Sequence, residues 1–324
     1  AFHRVEEQLV FKAVGQGIVT TSHRMGYGLS RVERWLGRSW TWIAVMAVIL
    51  AVLAGIGEMM HGGVEPGTGS AGFPLLSALL GVPLLGMIAA WRTRQARTAF
   101  ALGLSVAVVE LILAVQLLAG FQAHVPEMQF VERFEVLPWL GVHLGVDGLS
   151  VLFLPLTALL TLFVILYAQS HRQERSGAFV GSVLALEAAL VGMFTALNLL
   201  QFWLFALAEA IPATVLIACY GTSPGRNRAA WQFVRSMLGG LAMLLAGIVL
   251  LGWNHADAAD GVWSFDLPAL LATPVPEGRQ SLIFILLFAG LAVRLALFPL
   301  HAWLPIVAKH GTVAVGMVFL VGAK

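Results

Sequence analysis

The stretch LIFILLFAGLAVRLALFPLHAWLPIVAKHGTVAVGMVFLVGAK, residues 282–324, contains the features that decide the fold. Its first part, Leu282 to Leu300, is almost wholly apolar and long enough to cross about 30 Å of hydrocarbon at about 1.5 Å per residue. It therefore predicts a membrane-spanning helix. Arg294 lies near the middle of that helix, where a guanidinium costs about 2.5–3.5 kcal/mol on insertion scales and cannot lose its charge. We expect another side chain to pair with it.

The same stretch predicts an interrupted helix. Pro299 removes a backbone donor and clashes with the carbonyl group four residues back, so we expect a kink or a break close to Arg294. His301 follows the proline, and a further apolar segment from Thr312 carries Lys324 at membrane depth. An ion path needs carbonyl groups without helical partners, room for water, and a titratable group such as an imidazole beside a permanent cation.

The composition indicates a polytopic membrane protein. Of 324 residues, 59% are hydrophobic and only 11% are charged, and the mean hydropathy is +0.87. The single cysteine, Cys219, excludes a disulfide framework and a cysteine-ligated iron–sulfur cluster. The sequence has no P-loop, dinucleotide fingerprint, zinc-ligand spacing or nucleophile elbow. We therefore expect this chain to bind no cofactor, metal or nucleic acid.

The apolar runs predict an all-α protein with about nine transmembrane helices in this stretch. The runs lack the alternation of a membrane β-barrel, and lipid admits only helices or closed barrels. The predicted spans are Trp40–Ile56, Phe73–Ala90, Phe100–Leu118, Gly145–Tyr167, Phe179–Leu197, Leu199–Tyr220, Phe233–Gly252, Leu282–Leu300 and an incomplete one from Thr312. Residues 1–38 precede them, either as an amphipathic surface helix or as a solvated connector.

The loops between the predicted spans alternate in charge. Arginines cluster in every second loop, and acidic residues occupy the loops between them. Positive loops stay on the cytoplasmic side, so we expect a multi-pass inner (cytoplasmic) membrane protein whose N-terminal segment is cytoplasmic.

Several ionisable residues fall inside the predicted spans. Glu187 and Glu209 lie deep in theirs, Glu110 lies mid-span without a local motif, and Arg235 is close enough to a helix end to reach the interface. A static Glu–Arg pair that locks two helices together is one interpretation. We favour proton exchange, because such residues recur on several helices.

Four segments resemble the antiporter-like membrane subunits of respiratory complex I. They are GVDGLSVLFLPLTALLT from Gly145, LEAALVGMFTALNLLQFWLF from Leu186, LAVRLALFPLHAWLP from Leu291, and the spacing from Thr312 to Lys324. The similarity is strongest to the M chain of the NADH-quinone oxidoreductase and extends to Mrp-type antiporters and membrane-bound hydrogenases. It covers about three quarters of the chain, from about Phe73 onward.

The resemblance implies a proton half-channel. A glutamate on the fifth helix of the family pairs with a lysine before a broken seventh helix, and protons pass towards a lysine on the eighth. Arg294 occupies the seventh-helix position, His301 matches the histidine after the break, and Lys324 matches the eighth-helix lysine. The family glutamate falls at Leu207, from which Glu209 is turned by about 200° at about 100° per residue.

The chain also departs from the family. Arg294 cannot release a proton as a lysine can, and Ile306 and Ala308 replace the usual Asp and His, which indicates a divergent member. Residues 1–60 are similar instead to the tail of the L-type subunit. We therefore predict three parts: an L-like tail at 1–60, a Gly/Pro-rich linker at 61–72, and an antiporter-like domain at 73–324, truncated at its C-terminal end.

The predicted function is proton translocation through Glu187, Glu209, Arg294, His301 and Lys324 in a larger complex-I-like assembly. The chain itself would be a non-catalytic subunit, with other membrane subunits and hydrophilic redox subunits as partners. Two alternatives remain open at this point. One is the membrane subunit of a proton-driven inorganic-carbon uptake complex with a zinc-containing cytoplasmic partner, and the other is a structural membrane anchor.

Overall fold

The computed structural model describes residues 74–125, 127–137, 140–170, 175–221 and 223–311. Its helices are α1 (Leu75–Arg92), α2 (Ala96–Gly120), α3 (Ser150–Ser170), α4 (Ser176–Thr195), α5 (Leu199–Tyr220), α6 (Arg226–Ala258), α7 (Leu267–Ala272), α8 (Glu277–Arg294) and α9 (Trp303–His310). Helices α1 to α6 are each long and apolar enough to cross a membrane. This confirms the predicted helical, multi-pass fold.

Several predictions concern residues outside the described ranges. These are the N-terminal surface helix, the span Trp40–Ile56, the linker at 61–72, and the last segment from Thr312 with Lys324. The division at residues 60 and 72 therefore stays a prediction.

The polar loop expected between Gly120 and Gly145 forms a β-hairpin. Strand β1 (Gln129–Leu137) pairs antiparallel with β2 (Leu140–Val146), with Arg133 opposite His143. The sequence QFVERFEVL is rich in Phe and Val, which favour strands, although apolar and charged residues alternate only over residues 133–136. The hairpin lies between spans, and so it does not change the helical nature of the membrane-crossing part.

Helix α4 lies at the centre of the helical bundle and is buried along nearly its whole length. It contacts α1, α2, α3 and α5. Small residues permit this packing. At Gly177 the neighbour is backbone, and a Cβ there would lie 2.4 Å from the carbonyl oxygen of Thr93. Polar side chains on α4 are therefore enclosed by protein.

The predicted break is confirmed between α8 and α9. Helix α8 ends at Arg294, five residues before Pro299, and α9 begins at Trp303. The N–H of Leu297 reaches back to the carbonyl oxygen of Ala292 at 2.9 Å, and Ala296 adopts a positive φ of 49°. The chain therefore leaves the helix directly after the arginine.

Contacts between the loops that connect the helices show which loops lie at the same end of the bundle. At one end, Thr93 approaches Gly177, the Tyr220 hydroxyl donates to the carbonyl oxygen of Arg175 at 3.1 Å, and Ser223 bonds His310. At the other end, the N–H of Leu197 donates to His143 O at 2.9 Å, and that of Leu267 to Leu197 O at 2.9 Å. The arginine-rich connections thus share one end, and the hairpin and acidic connections share the other.

Candidate functional site

Glu209 and Arg294 form an ion pair in the interior of the bundle. Glu209 lies in the middle of α5 and Arg294 is the last residue of α8. The carboxylate oxygen Oε2 and the guanidinium nitrogen Nη2 are 2.5 Å apart, and the residues are only 2% and 7% exposed. Each charge compensates the other, which a buried ion requires. The partner that the sequence predicted for Arg294 is therefore Glu209.

Arg294 also contacts α4. Its Nη2 lies 3.3 Å from the sulfur atom of Met193, a buried residue near the end of that helix. The guanidinium is thus enclosed by three helices, α4, α5 and α8. A soft, polarisable thioether beside a cation is favourable without adding a second negative charge. No sequence pattern indicates this contact, because Met193 resembles any apolar residue of a buried helix.

The position of Glu209 differs from the expectation based on the family resemblance. That expectation assigned the pairing site to Leu207 and turned Glu209 away by about 200°. In the structure Glu209 points at Arg294, while Leu207 packs against the hydrophobic core. An arginine is longer than a lysine and its planar guanidinium donates in several directions, which allows the two-residue offset. Pro212 lies inside α5, which continues past it to Tyr220.

The break next to Arg294 is stabilised by Trp303. The indole Nε1–H donates to the carbonyl oxygen of Val293 at 2.9 Å, and the ring packs edge-on against Phe233 with centroids 5.6 Å apart. Carbonyl groups in the last turn of a helix lack the usual intrahelical donors, and the Val293 oxygen accepts both this bond and one from the N–H of Ala296 at 3.2 Å. The site therefore combines a buried ion pair with an interrupted helix.

The other predicted site residues are placed as follows. His301 lies in the break and is partly buried, with its ring 5.6 Å from that of Phe298, and its Nδ1 has no hydrogen-bond partner in the described part of the chain. Glu187 is completely buried on α4, and its oxygens likewise make no hydrogen bond there, so it is not joined to Arg294. Lys324 lies outside the described residues. Arg235 is exposed on α6, as its position near a helix end predicted.

A second cluster of polar side chains surrounds Asp266 at the end of the bundle that carries the hairpin and the acidic connections. The side chain of Asn198 caps α5, accepting from Leu200 N at 3.0 Å, and donates to Asp266 Oδ1 at 2.9 Å. Arg133 on the hairpin lies 3.5 Å from the same carboxylate, and His143 lies 3.7 Å from it. These contacts hold the hairpin against the helix ends and lie apart from the buried pair.

Together, the helical bundle, the broken helix and the buried ion pair define a polytopic membrane protein with a charged site in its interior. Residues 196–323 match the family described as NADH:quinone oxidoreductase/Mrp antiporter, TM. The chain is thus related to the antiporter-like M subunits of complex I, which confirms the resemblance found in the sequence.

Individual relatives agree with this assignment. NADH-quinone oxidoreductase subunit M of Rhodobacter capsulatus is 35% identical over 214 residues, which is 64% of this chain and 42% of the relative. The same subunit of Escherichia coli (strain K12) is 30% identical over 249 residues, which is 71% of this chain and 48% of the relative. A chain of respiratory complex I from Thermus thermophilus has a similar structure, with TM-score 0.65 and 29% identity over 76% of this chain and 50% of that one. The chain spans about half the length of the curated relatives it matches.

Proposed function

We propose that this chain is a proton-translocating, antiporter-like subunit of a complex-I-like membrane assembly. The observation that carries the proposal is the Glu209–Arg294 pair, buried beside the broken helix α8–α9. A pair of this kind is sensitive to any charge that arrives next to it, because little solvent is present to screen the interaction. Its relation to complex I subunit M supports the same function.

In the proposed path, protons enter from the cytoplasmic side near Glu209 or Glu187. The permanent charge of Arg294 then acts on its surroundings without itself releasing a proton. His301, in the break, passes the proton on through ordered water towards Lys324. The unpartnered Nδ1 of His301 is consistent with such a relay, because a relay nitrogen must be free to exchange hydrogen-bond partners.

We further propose the inner (cytoplasmic) membrane, with the arginine-rich end of the bundle in the cytoplasm. The grouping of those connections at one end supports this, since positively charged loops are retained on the cytoplasmic side. The N-terminal segment would lie on that same side.

The proposed partners are other membrane subunits together with hydrophilic subunits that carry the redox reaction. In this proposal NADH oxidation and quinone reduction occur on those subunits, and this chain needs no cofactor. The relatives are named as subunits of such an oxidoreductase, which supports a multi-subunit setting.

The proposal is tested with membrane vesicles that hold the native complex, NADH as electron donor and a pH-sensitive dye. We expect Arg294→Ala and Glu209→Gln to abolish most of the NADH-driven proton uptake. Arg235→Ala is the matched control, because it removes an exposed arginine from α6 and should leave uptake unchanged. Unchanged uptake in Arg294→Ala, in a complex that native electrophoresis shows to be assembled, would make the pair a structural anchor and overturn the proposal.

A further inference from the structure

Three polar side chains meet in the bundle at a distance from any helix end. Glu110 lies on α2, Thr161 on α3 and Glu187 on α4, and all three residues have zero exposed surface. Helix α4 packs against both of the other helices. The Glu110 and Glu187 carboxylates are close enough to act on each other electrostatically, and the Thr161 hydroxyl lies beside Glu187.

Apart from the neighbouring Thr161 hydroxyl, the oxygens of Glu110 and Glu187 have no donor among the described residues. All four carboxylate oxygens of Glu110 and Glu187, and Oγ1 of Thr161, lack a hydrogen bond of ordinary geometry within the described residues. Several other buried or half-buried helical hydroxyls bond the carbonyl oxygen four residues back, as Thr157 does to Phe153 at 2.7 Å and Thr195 to Val191 at 2.9 Å. Thr161 does not, so its hydroxyl remains available to the two carboxyl groups.

Among the residues that the structure describes, the charged side chains on the elements around α4 do not compensate the two carboxylates. On the elements that pack against α4, Glu209 on α5 is engaged by Arg294, and His143 on β2 faces Asp266. Arg92 and Arg97 lie at the exposed ends of α1 and α2. Two ionised carboxylates without a cation would carry a desolvation cost of several kcal/mol each. A bound positive charge therefore has to accompany them.

We propose that Glu110, Thr161 and Glu187 form a second proton-binding site, in which the two carboxyl groups hold protons and Thr161 bridges them by hydrogen bonds. Each protonated carboxyl group gains a donor, and the neighbouring carboxyl oxygen or the hydroxyl accepts it. This satisfies oxygens that the protein leaves unpartnered.

Helix α4 connects this site to the ion pair. Glu187 and Met193 are six residues apart on it, which is about 9 Å of helix rise, and Met193 touches Arg294. A change of charge at Glu187 would therefore act on the guanidinium through protein instead of through screening water. This coupling rests on the proposed function, whereas proton occupancy of the site does not.

The occupancy is tested by infrared difference spectroscopy of the native complex on exchange from H₂O to D₂O. We expect Glu110→Gln and Glu187→Gln each to remove about one carboxyl group per chain from the C=O band of protonated carboxyls. Thr161→Val should shift that band without reducing it. Thr157→Val is the matched control one turn away on the same helix, because its hydroxyl bonds its own backbone, and should shift nothing.

An unchanged C=O band in both glutamine variants would overturn the proposed proton-binding site. Loss of the C=O band from the wild-type complex on addition of Na⁺ would also overturn it, because this result would show a sodium site instead. If a glutamine variant fails to assemble, the two threonine variants still test the site: a band shift in Thr161→Val but not in Thr157→Val supports it, and no shift in either variant contradicts it. The two proposals fail separately. If the glutamine variants lose band intensity but Arg294→Ala takes up protons normally, the second proton-binding site stands and the proposed function is overturned. If the band is unchanged in the glutamine variants but Arg294→Ala abolishes uptake, the proposed function stands and the site is overturned.

Discussion

Trp303 donates its indole Nε1–H to the carbonyl oxygen of Val293 at 2.9 Å, which joins the helix after the break to the last turn of the helix before it. Val293 immediately precedes Arg294, so the bond lies one residue from the buried ion pair. The indole is almost fully buried and packs against Phe233. The tryptophan thus positions the end of α8 and, with it, the guanidinium.

Replacing Trp303 by Phe should retain much of the apolar contact and remove the donor. A net hydrogen bond contributes about 0.5–1.5 kcal/mol, and the smaller ring adds a packing loss. We expect a lower unfolding temperature of the purified complex and slower proton uptake. Trp231→Phe is the control, because this α6 tryptophan is 68% exposed and should change the free energy of unfolding by no more than about 0.5 kcal/mol. Equal losses in both variants would contradict a special role for the bond.

The Glu209–Arg294 pair should show strong energetic coupling. Removal of one partner from a buried pair costs about 3–5 kcal/mol, because the other charge is left uncompensated. We expect Glu209→Gln and Arg294→Gln each to destabilise the complex markedly, and the double variant to lose much less than the sum of the two. The measurement is the free energy of unfolding in detergent across this double-mutant cycle. Additive losses would show that the two charges do not depend on each other.

The sequence was sufficient for most of the fold because long apolar runs in lipid have few alternatives. The break near Pro299 followed from the chemistry of proline, and the requirement of a partner for Arg294 followed from the cost of a buried cation. The partner itself did not follow from the sequence. The family resemblance implied the position of Leu207, whereas the structure pairs Arg294 with Glu209.

Other features depended on three-dimensional contacts that sequence patterns do not encode. Met193 reaches Arg294 only because α4 passes between α5 and the other helices, and nothing local distinguishes it from a core methionine. Glu110 had no local motif, and its proximity to Glu187 arises from the packing of α2 on α4. The hairpin was not predicted, because apolar and charged residues alternate over only four residues of β1 and the region was expected to be a polar loop.

Gly290 permits the close approach of α8 to α6, and its substitution should be costly. A Cβ at this position would lie 2.7 Å from the backbone nitrogen of Leu244, which cannot move without shifting α6. Overpacking of this kind costs about 1–3 kcal/mol, so Gly290→Ala should lower the unfolding temperature and disturb the Arg294 site at the end of the helix. Gly278→Ala, in the first turn of α8 with open space around it, should instead be neutral or slightly stabilising. Unfolding of the two variants at the same temperature would contradict this account.

Asp147 caps the N-terminus of α3 within the GVDGLS segment. Its Oδ1 accepts from the N–H of Ser150 at 2.7 Å and of Leu149 at 3.1 Å, and also bonds the Ser150 hydroxyl. Partial burial raises the pKa of this carboxyl group, but these donors together lower it by more, so the pKa lies below its ordinary 3.8. The ionised form is therefore the one that stabilises the fold.

Because the folded-state pKa of Asp147 is lowered, its contribution is fully present above 3.8 and is lost as the pH falls through the folded-state pKa. Asp147→Ala removes the cap and should cost about 0.5–2 kcal/mol at neutral pH. Asp147→Asn keeps an acceptor oxygen but no charge, so it should lose less at neutral pH. The difference between wild type and Asp147→Asn should then shrink on acidification. Unfolding temperatures measured from neutral pH to below 3.8 test this, and a difference that stays constant with pH would show that the charge of Asp147 contributes nothing to the cap.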